Sequence, residues 1–379
     1  AEITGVGSGP VEPWFMSPLY PHLVAFSGAG QGVPADRVFD GAELRGLRLF
    51  QIGCWLGTLW LIRLLAVRMV PAGWHGRERA VAVWLPVVLF AFYRPAAVYA
   101  MAVLLESSLL FLVTFSLYLM TLRRLEPWRL LLLGVALGLS GLLRGTTLLL
   151  VPLALVSVWW GRPWSIRLLV SSALLMTGVV LALVPAVVHN SRLAGQLVGP
   201  SLNGGVNLYI GNGPEANGFY VAAVPGDWRH DPAGREFLAE RFDLPQVSVA
   251  EADRIWVGEA WHHMKRDPGR VFGLMARKIW LQLQGWEIDQ LTPLAGWTAQ
   301  VPMLRLLVTP YALLVVLGLA GLVGHRRAGW LAAALVLLLV GQSLFFIVSR
   351  YRLILIPMWA VLAGAGAVQD RGAIAQRAA

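Results

Sequence analysis

The sequence predicts an all-α polytopic membrane protein, with about nine transmembrane helices and a large external insert of mixed helix and loop. Three observations carry this. Hydrophobic residues make up 57% of the 379 residues, charged residues only 14%, and the mean hydropathy is +0.64; soluble domains run nearer half apolar and a quarter charged. Several windows of about 15 to 20 residues carry no charge. The arginines gather in short turns between the apolar stretches, which is the positive-inside pattern. That placement also explains the net charge of +10 without a nucleic-acid partner. The single Cys54 sits inside an apolar stretch, so neither a disulfide framework nor a cysteine metal site is expected. Residue 1 is Ala with no signal-peptide pattern after it, and the chain reads as beginning inside a longer one.

Residues 1–44 hold Pro10, Pro13, Pro18 and Pro21. The aromatic, kinked run Trp14 to Pro21 cannot span and suits the membrane interface. Residues 45–187 form a first transmembrane block, with spans at 45–68, 79–93, 98–121, 129–143, 146–160 and 167–187. Residues 188–301 are the external insert. Residues 302–368 form a second block, with spans at 303–324, 329–347 and 351–367, and residues 369–379 are a cytoplasmic tail. Arg68, Arg77, Arg79, Arg123, Arg124, Arg129, Arg162, Arg167, Arg326, Arg327, Arg371 and Arg377 then share the cytoplasmic side, and residues 1–44 share the outside with the insert. Spans 129–143 and 146–160 rise only about 22 Å against a hydrocarbon core of about 30 Å. Their tip, Leu143 to Thr147, should stop below the external surface and leave Arg144 at depth, where a cation needs an anion or a wet cavity.

The insert carries its own signals. Ser248-Val249-Ala250-Glu251 is a capping box that starts a helix over about 249–266. Asp267-Pro268 is an N-cap with proline at the first helical position, starting a second helix to about 284. Arg270, Arg277 and Gln284 stack on one side of that helix. Val271, Leu274, Met275, Ile279 and Leu281 form the other, with Lys278 and Gln282 in its middle, as in a helix lying on a membrane surface. The run Asn203 to Asn217, rich in Gly and Asn, reads as a loop. Its Asn203, Gly205, Asn207, Tyr209 and Asn212 either contact a sugar or acceptor or belong to a turn-rich strand pair. It is neither a Walker loop nor a dinucleotide fingerprint.

Arg94, Arg144, Arg350 and Arg352 fall on the external side, against the charge rule. A planar guanidinium fork suits phosphate oxygens, so Arg144, Arg350 and Arg352, with Lys278, are candidate ligands for a lipid-linked phosphate. The alternative is snorkelling to headgroups, and for Lys278 a stem in lipid with its head in water. Glu106, inside span 98–121, is a functional candidate as an intramembrane carboxylate, or a structural partner for Arg144. His262 and His263 are adjacent and point apart on a helix, His189 and His230 are isolated, and no carboxylate pair has metal-like spacing. No metal site and no cofactor are therefore expected from these residues, with a divalent ion held by groups outside the chain left open.

Several separated segments together resemble the bacterial polytopic glycosyltransferases of the GT-C fold, in the clan of dolichyl-phosphate-mannose-protein mannosyltransferases and aminoarabinose transferases. They are Phe15 to Pro21, Leu49 to Gly53, Leu104-Leu105-Glu106, Gly141 to Arg144, Pro185 to Asn190 (with His189 where the group has Arg), Gly204 to Asn212, Arg277-Lys278 to Glu287, and Ser349 to Arg352. The resemblance implies an inverting transfer of a sugar from a polyprenyl-phosphate donor to an acceptor hydroxyl on the external face of a bacterial cytoplasmic membrane. It also implies a general-base Asp in the first external loop, some tens of residues before the Pro-Leu-Tyr-Pro segment. Glu2 and Glu12 are the only acids before Pro18 and neither fits that context. The Asp and the first span are expected upstream of Ala1, with Glu12 and Glu106 as weak substitutes, and the chain alone is then expected to be inactive. The expected partners are the lipid-linked sugar and the bilayer. The insert reads as a lid that sets specificity. A transporter or flippase of a lipid-linked sugar is the main alternative, although neither inverted halves nor broken midplane helices are evident in the sequence. A non-catalytic membrane anchor is the third reading.

Overall fold

A computed structural model describes residues 12–27, 44–71, 73–122, 126–224, 230–290, 294–324 and 329–368. Among them every regular element is a helix and no strand occurs. Three stretches are long and apolar enough to cross a membrane: Arg45–Met69, Ile166–Ala194 and Pro302–Leu322. A fourth arises if Gly76–Ala91 and Arg94–Met101, bent by 53°, count as one. Arg123, Arg124, Arg326, Arg327, Arg371 and Arg377 lie outside the described residues.

In chain order, α1 (Leu19–Phe26) is a short helix. The first block follows as α2 (Arg45–Met69), α3 (Gly76–Ala91), α4 (Arg94–Met101), α5 (Glu106–Met120), α6 (Pro127–Leu143), α7 (Leu150–Trp159) and α8 (Ile166–Ala194). The insert holds α9 (Gly204–Asn212), α10 (Arg235–Phe242), α11 (Val249–Arg266), α12 (Pro268–Leu283) and α13 (Leu294–Gln300). The second block is α14 (Tyr311–Gly324), α15 (Gly329–Gln342), the single turn α16 (Ser349–Arg352) and α17 (Ile356–Gly366).

Apolar side chains alone cannot drive helices together in lipid, so small residues that let backbones approach become decisive. A Cβ on Gly134 of α6 would lie 2.0 Å from the Leu175 carbonyl oxygen of α8, and one on Gly178 would lie 2.3 Å from the Leu131 oxygen. Gly321 of α14 stands in the same relation to Leu362 of α17, at 1.9 Å. Neither backbone can yield locally. Gly134→Ala is expected to cost about 1–3 kcal/mol by forcing α6 and α8 apart, seen as a lower melting temperature in detergent, whereas Gly53→Ala, with open space around it, should be neutral.

Two expectations change here. The single span at 98–121 is broken: α4 ends at Met101, residues 102–105 are non-helical, and α5 begins at Glu106. The carbonyls freed by the break are satisfied from α2, where the buried Gln51 donates from Nε2 to Ala102 O at 2.9 Å and Leu104 O at 2.7 Å. Irregular backbone between apolar helices persists only where protein supplies the missing bonds. The Gly/Asn run is the second change. Residues Gly204–Asn212 are helix α9, not a loop or strand pair. Its glycines serve packing: a Cβ on Gly205 would meet Asp253 O of α11 at 2.1 Å, and one on Gly211 would meet the Phe345 backbone at 2.8 Å.

Candidate functional site

The break in the first block sets the site. Because α5 starts at Glu106, this carboxylate stands at a helix N-terminus facing the tip of the α6–α7 hairpin. Arg144 is the extended residue of that tip, at φ −153° and ψ 113°, between α6 and a 3-10 turn over Gly145–Leu149. The extended backbone throws its side chain across to Glu106, and Nη2 donates to Oε1 at 3.0 Å. Glu106 is 1% exposed and the Arg144 side chain 13%, so the buried cation has an anionic partner.

A second arginine shares the carboxylate. Arg350 Nη1 lies 3.9 Å from the same Oε1. Tyr351 stands against both cations, its ring centroid 4.4 Å from the Arg144 guanidinium carbon and 5.3 Å from that of Arg350. Two cations and one anion leave an excess positive charge in a nearly dry setting. Several polar atoms of this region are buried without a partner: Arg144 Nη1, Arg350 Nε, Glu106 Oε2, Gln51 Oε1, Ser108 Oγ and Thr146 Oγ1. Buried polar groups are nearly always paired, and a cluster of exceptions calls for an explanation such as a ligand or ordered water. An anion with several acceptor oxygens would suit the two arginine donors.

Arg352 behaves differently. It is wholly buried, and both Nη atoms are engaged by the chain. Nη1 donates to Gln284 O at 2.6 Å; Nη2 donates to Trp286 O at 2.7 Å, Glu287 Oε2 at 2.8 Å and Ser349 Oγ at 2.9 Å. Its guanidinium carbon sits 4.3 Å from the Tyr311 ring centroid, and Glu287 Oε1 accepts from Tyr93 Oη at 3.2 Å. Arg352 thus fastens the segment after α12 to α16 and α14. Arg94 donates from Nε to Leu304 O at 2.9 Å.

The insert has a core of its own, with Val206, Ile210, Leu238 and Trp256 packed on Phe346 and Val348 from the approach to α16. Both cap signals are present as read. Ser248 and Glu251 exchange the two bonds of a capping box, and Asp267 accepts from Arg270 N at 2.9 Å. The Ser248 N–H and hydroxyl hold the Glu251 carboxyl below its ordinary value. Asp253 Oδ1 accepts from Gly205 N at 2.6 Å; burial pushes this carboxyl up, against the opposing pull of that N–H. Tyr209 packs on Trp256 with ring centroids 4.6 Å apart. Asn203 is the residue before α9, with no capping bond from its side chain, and Asn207 is half-buried. Gly205, Tyr209 and Asn212 therefore hold the insert together or to its base.

Lys278 does not lie in lipid. On α12 the buried face is Leu274, Lys278, Leu281 and Gln282, turned to protein, while Phe272 and Trp280 are exposed. The helix is amphipathic, but its lysine-bearing face is the inner one. Lys278 Nζ donates to Asn212 Oδ1 at 3.3 Å, and Asn212 Nδ2 donates to Leu208 O and Leu344 O. Arg270 Nη2 bonds Gly213 O, Pro214 O and Ala216 O, closing the turn that follows α9. Burial, and then the charge of Arg270, pull Lys278 down to about 8. An amine with a depressed folded pKa destabilises the fold fully below that value, and the penalty is relieved as pH rises toward its unfolded value near 10.4. The wild type is therefore expected to gain stability between about pH 8 and 10 relative to Lys278→Met, whose thermal unfolding should lack that rise.

Glu12 is tied to Arg235 of the insert at 2.8 Å. The N-terminal segment docks through Trp14, whose N–H donates to Asn190 Oδ1 at 2.8 Å and whose indole stacks on His189 at 3.9 Å. Gln51, Tyr351 and Glu287 fall within segments that carry the resemblance, but the sequence assigned none of them a role of its own. The signal for Gln51 is an amide inside an apolar stretch; for Tyr351 it is an aromatic between two arginines. Among the described residues no group of three or more His, Cys, Asp or Glu could hold a metal. Compared with known proteins, the chain matches no family model, no curated protein and no solved structure at a significant level.

Proposed function

We propose that this is a membrane glycosyltransferase that moves a sugar from a polyprenyl-phosphate donor to an acceptor hydroxyl on the external face of a bacterial cytoplasmic membrane. The observation that carries the reading is the Arg144–Glu106–Arg350 cluster, with its excess positive charge and unpartnered arginine donors. In the proposed topology the chain crosses nine times. The described arginines Arg68, Arg77, Arg79, Arg129, Arg162 and Arg167 face the cytoplasm, and the insert faces outward.

In the proposed step the acceptor oxygen attacks the anomeric carbon opposite the phosphate. The new C–O bond forms as the anomeric C–O(phosphate) bond breaks, inverting the centre, and the electron pair leaves on the phosphate. Arg144 and Arg350 stabilise that charge, which grows in the transition state. A carboxylate takes the hydroxyl proton; the resemblance assigns it to the first external loop. Glu106 supplies the counter-charge that keeps both guanidiniums in place. Arg352 acts one layer behind, by fixing α16 and so the backbone that carries Arg350.

The transporter reading gains two observations: the 53° bend between α3 and α4 and the break at 102–105 are features of helices that open around a cargo. The two readings separate in proteoliposomes holding the full-length protein and a polyprenyl-phosphate sugar with a labelled sugar ring. Glycosyl transfer moves label into a new covalent product, and Arg350→Ala is expected to lower that rate by about 10²-fold or more. Label that changes leaflet while staying on its lipid would select the transporter, and wild-type rates from Arg350→Ala would sink the proposed phosphate role.

A further inference from the structure

A second basic feature lies on α2 and α3, away from Glu106. α2 and α3 diverge there and leave a groove of about 420 Å³, floored by Leu64, Val67 and Val83 and edged by Arg63, Arg79 and Trp84. The Arg63 guanidinium carbon is 5.2 Å from the Trp60 ring centroid and 5.0 Å from that of Trp84. Both indoles are more than half exposed, where lipid would meet them.

The groove is basic, and among the described residues no acid lines it. Neither Arg63 nor Arg79 takes part in an ion pair among the described residues, and Arg63 Nε is buried with no acceptor. Glu78, the acid nearest in sequence, does not line the groove. A snorkelling arginine would hold its whole head in water; this one is fixed between two aromatic faces with one donor turned away from solvent. The peptide N–H groups at the start of α3 have no side-chain cap, which adds partial positive charge at the groove mouth. A small inorganic ion would leave most of the volume empty. A phosphate carrying acyl chains would fill it, with chains on the leucine and valine floor.

We propose that the α2–α3 groove is a binding site for one anionic phospholipid, whose phosphate is held by Arg63 and Arg79 and whose acyl chains lie along Leu64, Val67 and Val83. The site is independent of the glycosyl-transfer reading. It gives α3 and α2, whose Gln51 supports the break before Glu106, a lipid-dependent anchor.

The test is native mass spectrometry of the full chain in detergent, titrated with phosphatidylglycerol or with phosphatidylcholine. One phosphatidylglycerol is expected to stay on the wild type under conditions that strip phosphatidylcholine. Arg63→Gln and Arg79→Gln are each expected to weaken retention about fivefold. Ala80→Trp, which fills the groove and leaves both charges, should abolish it. Unchanged melting temperatures of Arg63→Gln and Arg79→Gln identify the loss as local; if either unfolds, the Ala80→Trp result decides. Equal retention of the two lipids, wild-type retention by the double arginine variant, or displacement of the lipid by millimolar inorganic phosphate would each overturn the proposal.

Discussion

Arg144→Ala is expected to lower the unfolding free energy by about 3 kcal/mol, the low end of the range for stripping one partner from a buried ion pair. The low end applies because Glu106 is not left alone: Arg350 stands 3.9 Å from the same oxygen and can move closer. The loss has two sources. The carboxylate, 1% exposed, loses its 3.0 Å donor, and Tyr351 loses the nearer of its two cations. Adding Glu106→Gln to Arg144→Ala should restore about half of the stability, because a neutral amide removes the stranded charge. Rescue by the second substitution distinguishes this cause from simple loss of arginine packing. The measurement is thermal or denaturant unfolding in detergent of the two single variants and the double. Additive losses, with no rescue, would show that the pair is uncoupled. In the transfer assay no rescue is expected, since the double variant still lacks a phosphate donor.

That pair was legible in the sequence, because charges inside apolar helices have few ways to avoid each other and Arg144 sits at the tip of two short apolar stretches. The insert helices α11 and α12 were legible for a local reason: Ser248, Glu251, Asp267 and Pro268 write their start signals within four residues of where they act. The break before Glu106 was not. Residues Ala102-Val103-Leu104-Leu105 hold neither proline nor glycine, and the partner that makes the break tolerable, Gln51, lies more than fifty positions earlier. The nature of α9 was hidden by an ambiguity of glycine, which serves turns and close helix contacts alike. Gly205 and Gly211 serve the second use, and only the placement of α11 and Phe345 reveals it. Lys278 was ambiguous in the same way: an amine on an apolar helix face suits lipid or a protein interior, and Asn212 decides for the interior.

Arg352→Ala is expected to be at least as damaging, at about 3–5 kcal/mol, because no second cation stands by. Its removal takes the cation from the Glu287 carboxylate, which keeps the Tyr93 hydroxyl, frees the Gln284 carbonyl, leaves the Trp286 carbonyl to the Gln284 amide, and opens a void beside Tyr311. Arg352→Lys keeps the charge but not the fork; a single ammonium cannot reach Gln284 O from one edge and Trp286 O, Glu287 and Ser349 from the other. About half of the loss should therefore remain. Because Arg352 ties residues 284–287 to α16, the effect should be local before it is global. Hydrogen exchange is expected to speed up first in peptides covering 284–290 and 347–352, where Ser349 N donates to Ile288 O at 3.0 Å and the Ser349 hydroxyl accepts from Ile288 N. The insert helices α9 and α11, held by the separate contact of Asp253 with Gly205, should keep wild-type protection. Uniform acceleration across the insert would mean that Arg352 holds up the whole insert. Unchanged exchange at 284–290 would mean that it holds nothing, and that its four bonds are replaceable by water. Under the first pattern Arg350 moves with α16 while Arg144 stays, so sugar transfer should fall in Arg352→Lys even where the protein remains folded.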